Sequence, residues 1–139
     1  MSSIYDKYEV VVGLETHAQL STNSKIFAPD ATTFGASPNT QVSYITLGHP
    51  GVLPVLNEKV IDFAVKMGLA TNCKIQKYQY FDRKNYFYAD LPKGFQTTQD
   101  AKPICYDGFL DVTVGDKTRK IRINRIHLEE DAGKSTHDQ

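Results

Sequence analysis

From Tyr8 to Leu20 apolar and polar residues alternate. Tyr8, Val10, Val12, Leu14, Ala18 and Leu20 share one face, and Glu9, Glu15, His17 and Gln19 share the other. Period-two alternation over this length predicts a long strand with one buried face, although Val11 and Gly13 interrupt the polar side. Residues 21–56 lose the pattern. Ser21-Thr22-Asn23-Ser24, Ala28-Pro29-Asp30, Ser37-Pro38-Asn39, Pro50-Gly51 and Pro54 mark a long irregular excursion, with a short strand expected at Val42 to Thr46. Irregular stretches of this length inside a domain are often functional.

Asn57 then reads as the cap of a helix whose apolar positions Val60, Ile61, Ala64, Val65 and Leu69 recur at helical spacing. Gly68 and Asn72 are its candidate terminators. Phe81 to Gly94 is dense in aromatic and charged residues. Phe109 to Val114 and Thr118 to Leu128 predict a hairpin about Gly115-Asp116. In its second strand Ile121 and Ile123 share one face while Ile126 and Leu128 share the other, which predicts a bulge or bend near Asn124-Arg125.

Composition narrows the class without naming an activity. The 139 residues are 40% hydrophobic and 23% charged, ordinary for a globular domain. Lys plus Arg equals Asp plus Glu at 16 each, so total charge says nothing of a nucleic-acid partner. No apolar run approaches the ~18 residues of a membrane span, and Met1 to Lys7 carries no secretory signal. Cys73 and Cys105 lie far apart in no CxxC pair, so a disulfide framework or cysteine-rich zinc site is not expected, and both read as packing residues. A cytoplasmic enzyme or binding domain is the plain reading.

Three segments can carry chemistry. Glu15 and His17 project the same way from a strand and can reach one ion or one substrate group. A solvated polar face explains the same residues and, on them alone, is the commoner case. His127-Leu128-Glu129-Glu130-Asp131 sets three acids in a row, which repel unless a cation compensates them. Such hard oxygen donors suit Mg²⁺, with substrate phosphates completing its shell; a charged turn is the equal alternative. The aromatic-basic run from Phe81 to Lys93 can hold phosphates and stack bases, or simply cover apolar surface. Gly133-Lys134-Ser135 imitates the end of a P-loop, but Leu128 stands where its first glycine belongs. His49, in Gly48-His49-Pro50-Gly51, reads as a turn residue.

Taken together the segments resemble a known family. Val12-Gly13-Leu14-Glu15-Thr16-His17-Ala18-Gln19-Leu20 is similar to the opening motif of the B subunit of aspartyl/glutamyl-tRNA amidotransferases. The likeness continues in Phe34-Gly35-Ala36 with Pro38-Asn39-Thr40, Pro50-Gly51-Val52-Leu53-Pro54-Val55-Leu56-Asn57, Phe81-Asp82-Arg83-Lys84-Asn85-Tyr86-Phe87-Tyr88 and Asp90-Leu91-Pro92-Lys93-Gly94. It ends at Arg125-Ile126-His127-Leu128-Glu129-Glu130-Asp131-Ala132-Gly133-Lys134. The blocks follow the family's order over nearly the whole chain.

The resemblance implies an α+β fold related to glutamine synthetase and guanido kinases, an antiparallel sheet with packed helices, and the strands, helix and hairpin read above agree with it. It implies a ligase that uses ATP to phosphorylate the side-chain carboxylate of Glu-tRNA(Gln) or Asp-tRNA(Asn). Ammonia from a partner glutaminase-type A subunit, in an assembly that includes a small C subunit, then displaces the phosphate. The family's metal and phosphoryl-transfer positions fall on Glu15, His17, Glu129 and Glu130, with Mg²⁺ or Mn²⁺ as the ion. Its aromatic-basic block, near the substrate or ammonia path, falls on Lys84, Asn85, Tyr86, Tyr88, Asp90 and Lys93.

Two departures qualify the match. Many relatives bind a structural zinc through cysteine pairs, where this chain reads Phe27-Ala28-Pro29-Asp30 and Val42-Ser43-Tyr44-Ile45-Thr46. No zinc is expected, which leaves packing to hold the loop. The family's chain also continues beyond the counterpart of Gln139, so residues 1–139 are expected to be the N-terminal part of the catalytic domain, without the helical and tail domains and inactive alone. Exposed apolar surface and edge strands would then favour self-association. The competing readings are a non-catalytic RNA-binding module, using Phe81 to Lys93 and the basic stretch Lys117 to Arg125, and a metal hydrolase unrelated to tRNA, which the ordered blocks disfavour.

Overall fold

The computed structural model describes residues 4–89, 91 and 93–130. Among the described residues it is an α+β arrangement of one α-helix, α1 (Glu58–Ala70), a 3-10 turn of helix at Ile4–Lys7, and five strands: β1 (Lys74–Ile75), β2 (Asp82–Asn85), β3 (Phe95–Thr98), β4 (Cys105–Val114) and β5 (Lys117–Ile126). The strands form two antiparallel sheets, one ordered β1-β4-β5 and one made of β2 and β3. None of the described helices is long and apolar enough to cross a membrane.

Helix α1 forms where its spacing predicts. The Asn57 side chain accepts from the Lys59 amide at 2.9 Å, and its Nδ2 donates to Ser24, so the cap also ties the helix to the excursion before it. A cap of this kind stabilises a helix by about 1 kcal/mol. Val60 and Ala64 sink into a core shared with Cys73, Ile104, Cys105 and Leu128. Gly68 does not end the helix. It lies inside α1, buried, where a Cβ would collide with Cys105 Sγ and the Ile75 side chain, so it lets helix and sheet approach closely. Asn72, at φ 54°, turns the chain away. Leu69 lies on the solvent side at 65% exposure, because Gly68 rather than Leu69 meets the sheet.

The β4–β5 hairpin turns at Gly115-Asp116 with Gly115 at φ 60°, as predicted. The anticipated irregularity is a bend, and it begins on the partner strand. Tyr106 pairs with Arg125 and Gly108 with Ile123, one unbroken register, but the intervening Asp107–Asn124 pair is missing and Asp107 sits at φ 53°. No residue is inserted, so this is not a bulge. Cys105 and Gly108 both face the core although three positions apart, and so do Ile123 and Ile126.

Two expected strands are absent. Residues 8–20 join no sheet among the described residues. Val10, Val12 and Leu14 are 76–88% exposed, because alternation prepares a face but only a partner strand supplies ladder hydrogen bonds. Leu20 alone in that row packs on the core. Val42 to Thr46 is not a strand; residues 44–48 form turns.

The excursion is held by more than packing. Phe27 is buried and meets the Phe81 ring edge-on at 5.0 Å. Beside it, the 7%-exposed carboxylate of Asp30 accepts hydrogen bonds from Ser43 Oγ at 3.2 Å and from Thr46 Oγ1, with Lys25 Nζ 3.8 Å away. Burial alone would raise the Asp30 pKa. The Thr46 and Ser43 hydrogen bonds and the Lys25 charge outweigh it and hold the group below its ordinary 3.8. A depressed carboxyl pKa stabilises the fold above the unfolded-state value, and that stabilisation is lost as pH falls through the folded one. The stability of the wild type against urea should therefore fall as pH drops below about 4, the ordinary carboxyl pKa. Asp30→Ala should lose about 2–3 kcal/mol at neutral pH, as expected for hydrogen bonds to a charged group, and show less of the acid dependence. Equal acid sensitivity in both proteins would contradict this account.

Candidate functional site

Segments far apart in sequence meet where β5 ends. Beyond Ile126 the chain runs beside β3: the Glu130 amide donates to the Thr97 carbonyl at 2.8 Å, and Gln96 Nε2 donates to the Glu130 carbonyl at 2.5 Å. The residue before Glu129, Leu128, is buried, and its amide donates to Gln99 Oε1 at 3.1 Å. These anchors fix the backbone on both sides of Glu129 and present its carboxylate to one end of the 8–20 segment.

The result is a row of acid and imidazole groups. Glu15 Oε1 lies 3.9 Å from His17 Nε2, which lies 3.4 Å from Glu129 Oε1; Glu129 Oε2 lies 3.2 Å from His127 Nε2. Glu15 and His17 are 79% and 71% exposed at the side chain, whereas Glu129 and His127 are about a quarter exposed. The row is open to a ligand at one end and backed by protein at the other. His127 is the member that site selection from sequence leaves out. Its signal is the same i, i+2 spacing to Glu129 that links Glu15 to His17.

Glu130 is placed differently from Glu129. Both of its carboxylate oxygens bind Lys93 Nζ, at 2.5 and 2.7 Å, and Oε2 also accepts from the Thr97 amide at 3.4 Å. Adjacent residues of an extended segment point opposite ways, so Glu130 is committed to Lys93 while Glu129 faces the imidazoles. Lys93 also stands 5.1 Å from the Phe95 ring.

Lys84 and Asn85 lie on β2, paired with Gln96 and Phe95. Lys84 Nζ is 5.8 Å from the Tyr86 ring, which meets Tyr88 edge-on at 5.5 Å. The aromatic-basic block is thus a contiguous strip following β2. Asp90, assigned to the same strip, lies outside the described residues, as do Asp131 and the Gly133-Lys134-Ser135 decoy. Burial pushes the Cys105 thiol up to about 11, with Cys73 adding to it, and both thiols are buried in the core, as packing residues should be. His49 sits in a turn, its amide donating to the Tyr44 carbonyl.

The family model described as "GatB/GatE catalytic domain" matches residues 10–139. The chain belongs to this family. It is 61% identical over 132 residues to the B subunit of the aspartyl/glutamyl-tRNA(Asn/Gln) amidotransferase of Thermodesulfovibrio yellowstonii, a match covering 95% of this chain and 28% of that protein. The corresponding protein of Salinibacter ruber is 56% identical over 142 residues, covering 96% of this chain and 28% of the relative. That of Brevibacillus brevis is 58% identical over 131 residues, covering 94% and 27%. The chain thus spans little more than a quarter of the length of the curated relatives it matches. Within the family match lie all four members of the Glu15–His17–Glu129–His127 row.

Among the described residues no three or more His, Cys, Asp or Glu side chains form a cluster that could hold a metal ion. A Mg²⁺ site of the kind completed by substrate phosphates needs only one or two protein carboxylates. Glu15 and Glu129, flanking His17, supply that number of hard donors, so the donor set fits such an ion.

Proposed function

We propose that this chain contributes to the phosphoryl-transfer site of a tRNA-dependent amidotransferase. Residues 1–139 would form the N-terminal part of its catalytic domain. The observation that carries the reading is the meeting of Glu15 and His17 with Glu129 in one solvent-open row. In the proposed reaction the side-chain carboxylate of glutamate or aspartate on a misacylated tRNA attacks the γ-phosphorus of ATP. ADP leaves, and an acyl phosphate forms. Ammonia from a glutaminase-type A subunit, in an assembly with a small C subunit, then attacks the carbonyl carbon and expels phosphate. A free carboxylate resists ammonia, and phosphorylation supplies the leaving group.

Such a reaction asks a protein mainly for positioning and charge compensation. Glu15 and Glu129 would hold Mg²⁺ or Mn²⁺, which when bound neutralises charge on the transferring phosphoryl group. His17, between the two carboxylates, would donate a hydrogen bond to a phosphate oxygen. His127, backing Glu129, would orient its carboxylate. Lys93 neutralises Glu130 and so limits the negative charge that a polyanionic substrate meets beside the row. The Lys84–Tyr86–Tyr88 strip, with Asn85, offers a basic and aromatic surface for the substrate or ammonia path, to which Asp90 is assigned from the family resemblance alone. A role in translation would make the setting cytoplasmic.

Transfer of labelled phosphate from ATP to Glu-tRNA(Gln), in the assembly containing this chain, tests the reading. Transfer should require a divalent ion and fall about tenfold in Glu15→Ala, at the lower end for lost metal-site support because the group is so exposed. Full transfer without divalent ions would refute it. A plain RNA-binding module predicts instead RNA affinity that depends steeply on salt, with no role for divalent metal in it.

A further inference from the structure

Lys93 is held at both ends. Its Nζ lies 2.5 and 2.7 Å from the two carboxylate oxygens of Glu130. Its backbone is fixed by the neighbouring Gly94, whose amide donates to the Leu91 carbonyl at 3.0 Å and whose carbonyl accepts from the Tyr86 amide at 3.2 Å. Only 13% of the Lys93 side chain is exposed. A lysine so covered has lost most of its rotamer freedom, and the wall against its stem is Gly48. A Cβ placed on Gly48 would stand 2.7 Å from Lys93 Cγ and 3.1 Å from Cδ, distances at which something must shift. These atoms lie in the middle of the stem, so the lysine cannot yield by moving its tip alone. Gly48 also sits at φ 67°, where a side chain is strained.

The place of Gly48 is set by residues far from Lys93 in sequence. Residues 43–49 form successive turns, with Leu47 N donating to the Ser43 carbonyl, Gly48 N to that of Ile45 and His49 N to that of Tyr44, each at 3.0 Å. The first half of this segment is pinned by Asp30, whose carboxylate accepts from Ser43 Oγ and Thr46 Oγ1. Lys25, beside Asp30, donates to the Gln41 carbonyl at 2.7 Å and ties down the approach to the turns. A contiguous line of contacts thus runs from Lys25 and Asp30 through the turns to the Lys93 stem and on to Glu130.

We propose that Gly48 is a positioning residue, which keeps Lys93 on Glu130, and that the Asp30 cluster keeps Gly48 in place. With the lysine seated, one of two adjacent acids is neutralised and Glu129 alone is left to the imidazoles. With it displaced, a second uncompensated carboxylate stands beside the row. That consequence rests on the phosphoryl-transfer reading; the contact and its effect on the ion pair do not.

Hydrogen exchange of the Lys93 ammonium, followed by nuclear magnetic resonance on the full chain carrying isotope-labelled lysine, tests this. Lys93→Arg identifies the resonance by removing it. Gly48→Ala should speed the exchange about tenfold or more, the effect of giving up a charge-assisted hydrogen bond. Gly51→Ala is the control, because Gly51 has φ 83° but nothing within 4 Å of an added Cβ. It carries comparable backbone strain without the contact and should leave Lys93 exchange at the wild-type rate. Thr46→Val, which deletes one hydrogen bond to Asp30, should give a smaller acceleration and decides the matter if Gly48→Ala does not fold. Wild-type exchange in the folded Gly48→Ala chain, or in Thr46→Val where Gly48→Ala does not fold, would overturn the proposal. So would equal acceleration in Gly51→Ala, since general loosening of the turns would then suffice. The measurement needs no catalysis, so its failure leaves the phosphoryl-transfer reading standing, and a chain that transfers no phosphate would still show the difference.

Discussion

Glu129→Gln is expected to lower phosphate transfer from ATP to the misacylated tRNA by about two to three orders of magnitude, the range seen when a preorganised charge-stabilising group is removed. The substitution keeps shape and burial but removes the charge that faces both imidazoles, His17 at 3.4 Å and His127 at 3.2 Å. The contrast with Glu15 is the sharper part of the prediction. Glu15 is 79% exposed and 3.9 Å from its neighbour, so water screens it, whereas Glu129 is 25% exposed and fixed by its backbone anchors. Single-turnover transfer at saturating ATP and divalent metal separates the two variants. If Glu15→Ala proved far more damaging than Glu129→Gln, the row would be wrongly ordered. Thermal unfolding should be nearly the same for both.

Gln99→Leu should destabilise the fold by about 2–5 kcal/mol, the cost of stranding two buried amides. Gln99 is 1% exposed. Its Oε1 accepts from Ile104 N at 3.0 Å and Leu128 N at 3.1 Å, and its Nε2 donates to Gln79 Oε1 at 2.7 Å. One amide therefore joins the turn after β3, the entry to β4 and the residue preceding Glu129. Leucine fills a similar volume but accepts nothing. Gln99→Glu keeps the accepting oxygen, and Gln79 can turn its own amide to donate, so the loss should be smaller despite the buried charge. Amide exchange at Leu128 and Ile104 is the specific readout. Leucine should speed both, and unchanged protection would mean other contacts hold these segments.

These two residues differ in how well the sequence announces them. Glu129 stands in a conspicuous acidic run. Gln99 is one glutamine in a polar turn, and no local pattern marks it, because its importance lies in partners 5 and 29 positions away. His127 falls between the two cases, readable from its spacing to Glu129 once that residue is singled out.

Local regularities carried helix α1, its Asn57 cap, the β4–β5 hairpin and the phase change near Asn124, since each rests on side-chain periodicity or turn chemistry within a few residues. Gly68 shows the limit of that information. A glycine near a helix end reads as a stop, and only the approach of Cys105 reveals it as a contact. The alternation of residues 8–20 likewise describes a face prepared for burial, but strand formation depends on a neighbouring backbone. From spacing alone Glu15 and His17 are a polar pair able to reach one ion, and the acidic run after His127 a Mg²⁺ candidate no better than a charged turn; the family resemblance joins them, with Glu129 and Glu130 of equal standing. The fold separates those two acids, turning Glu129 to the imidazoles and closing Glu130 on Lys93. That choice follows from the direction of an extended backbone anchored at Thr97 and Gln99, a long-range constraint that neighbouring residues do not encode.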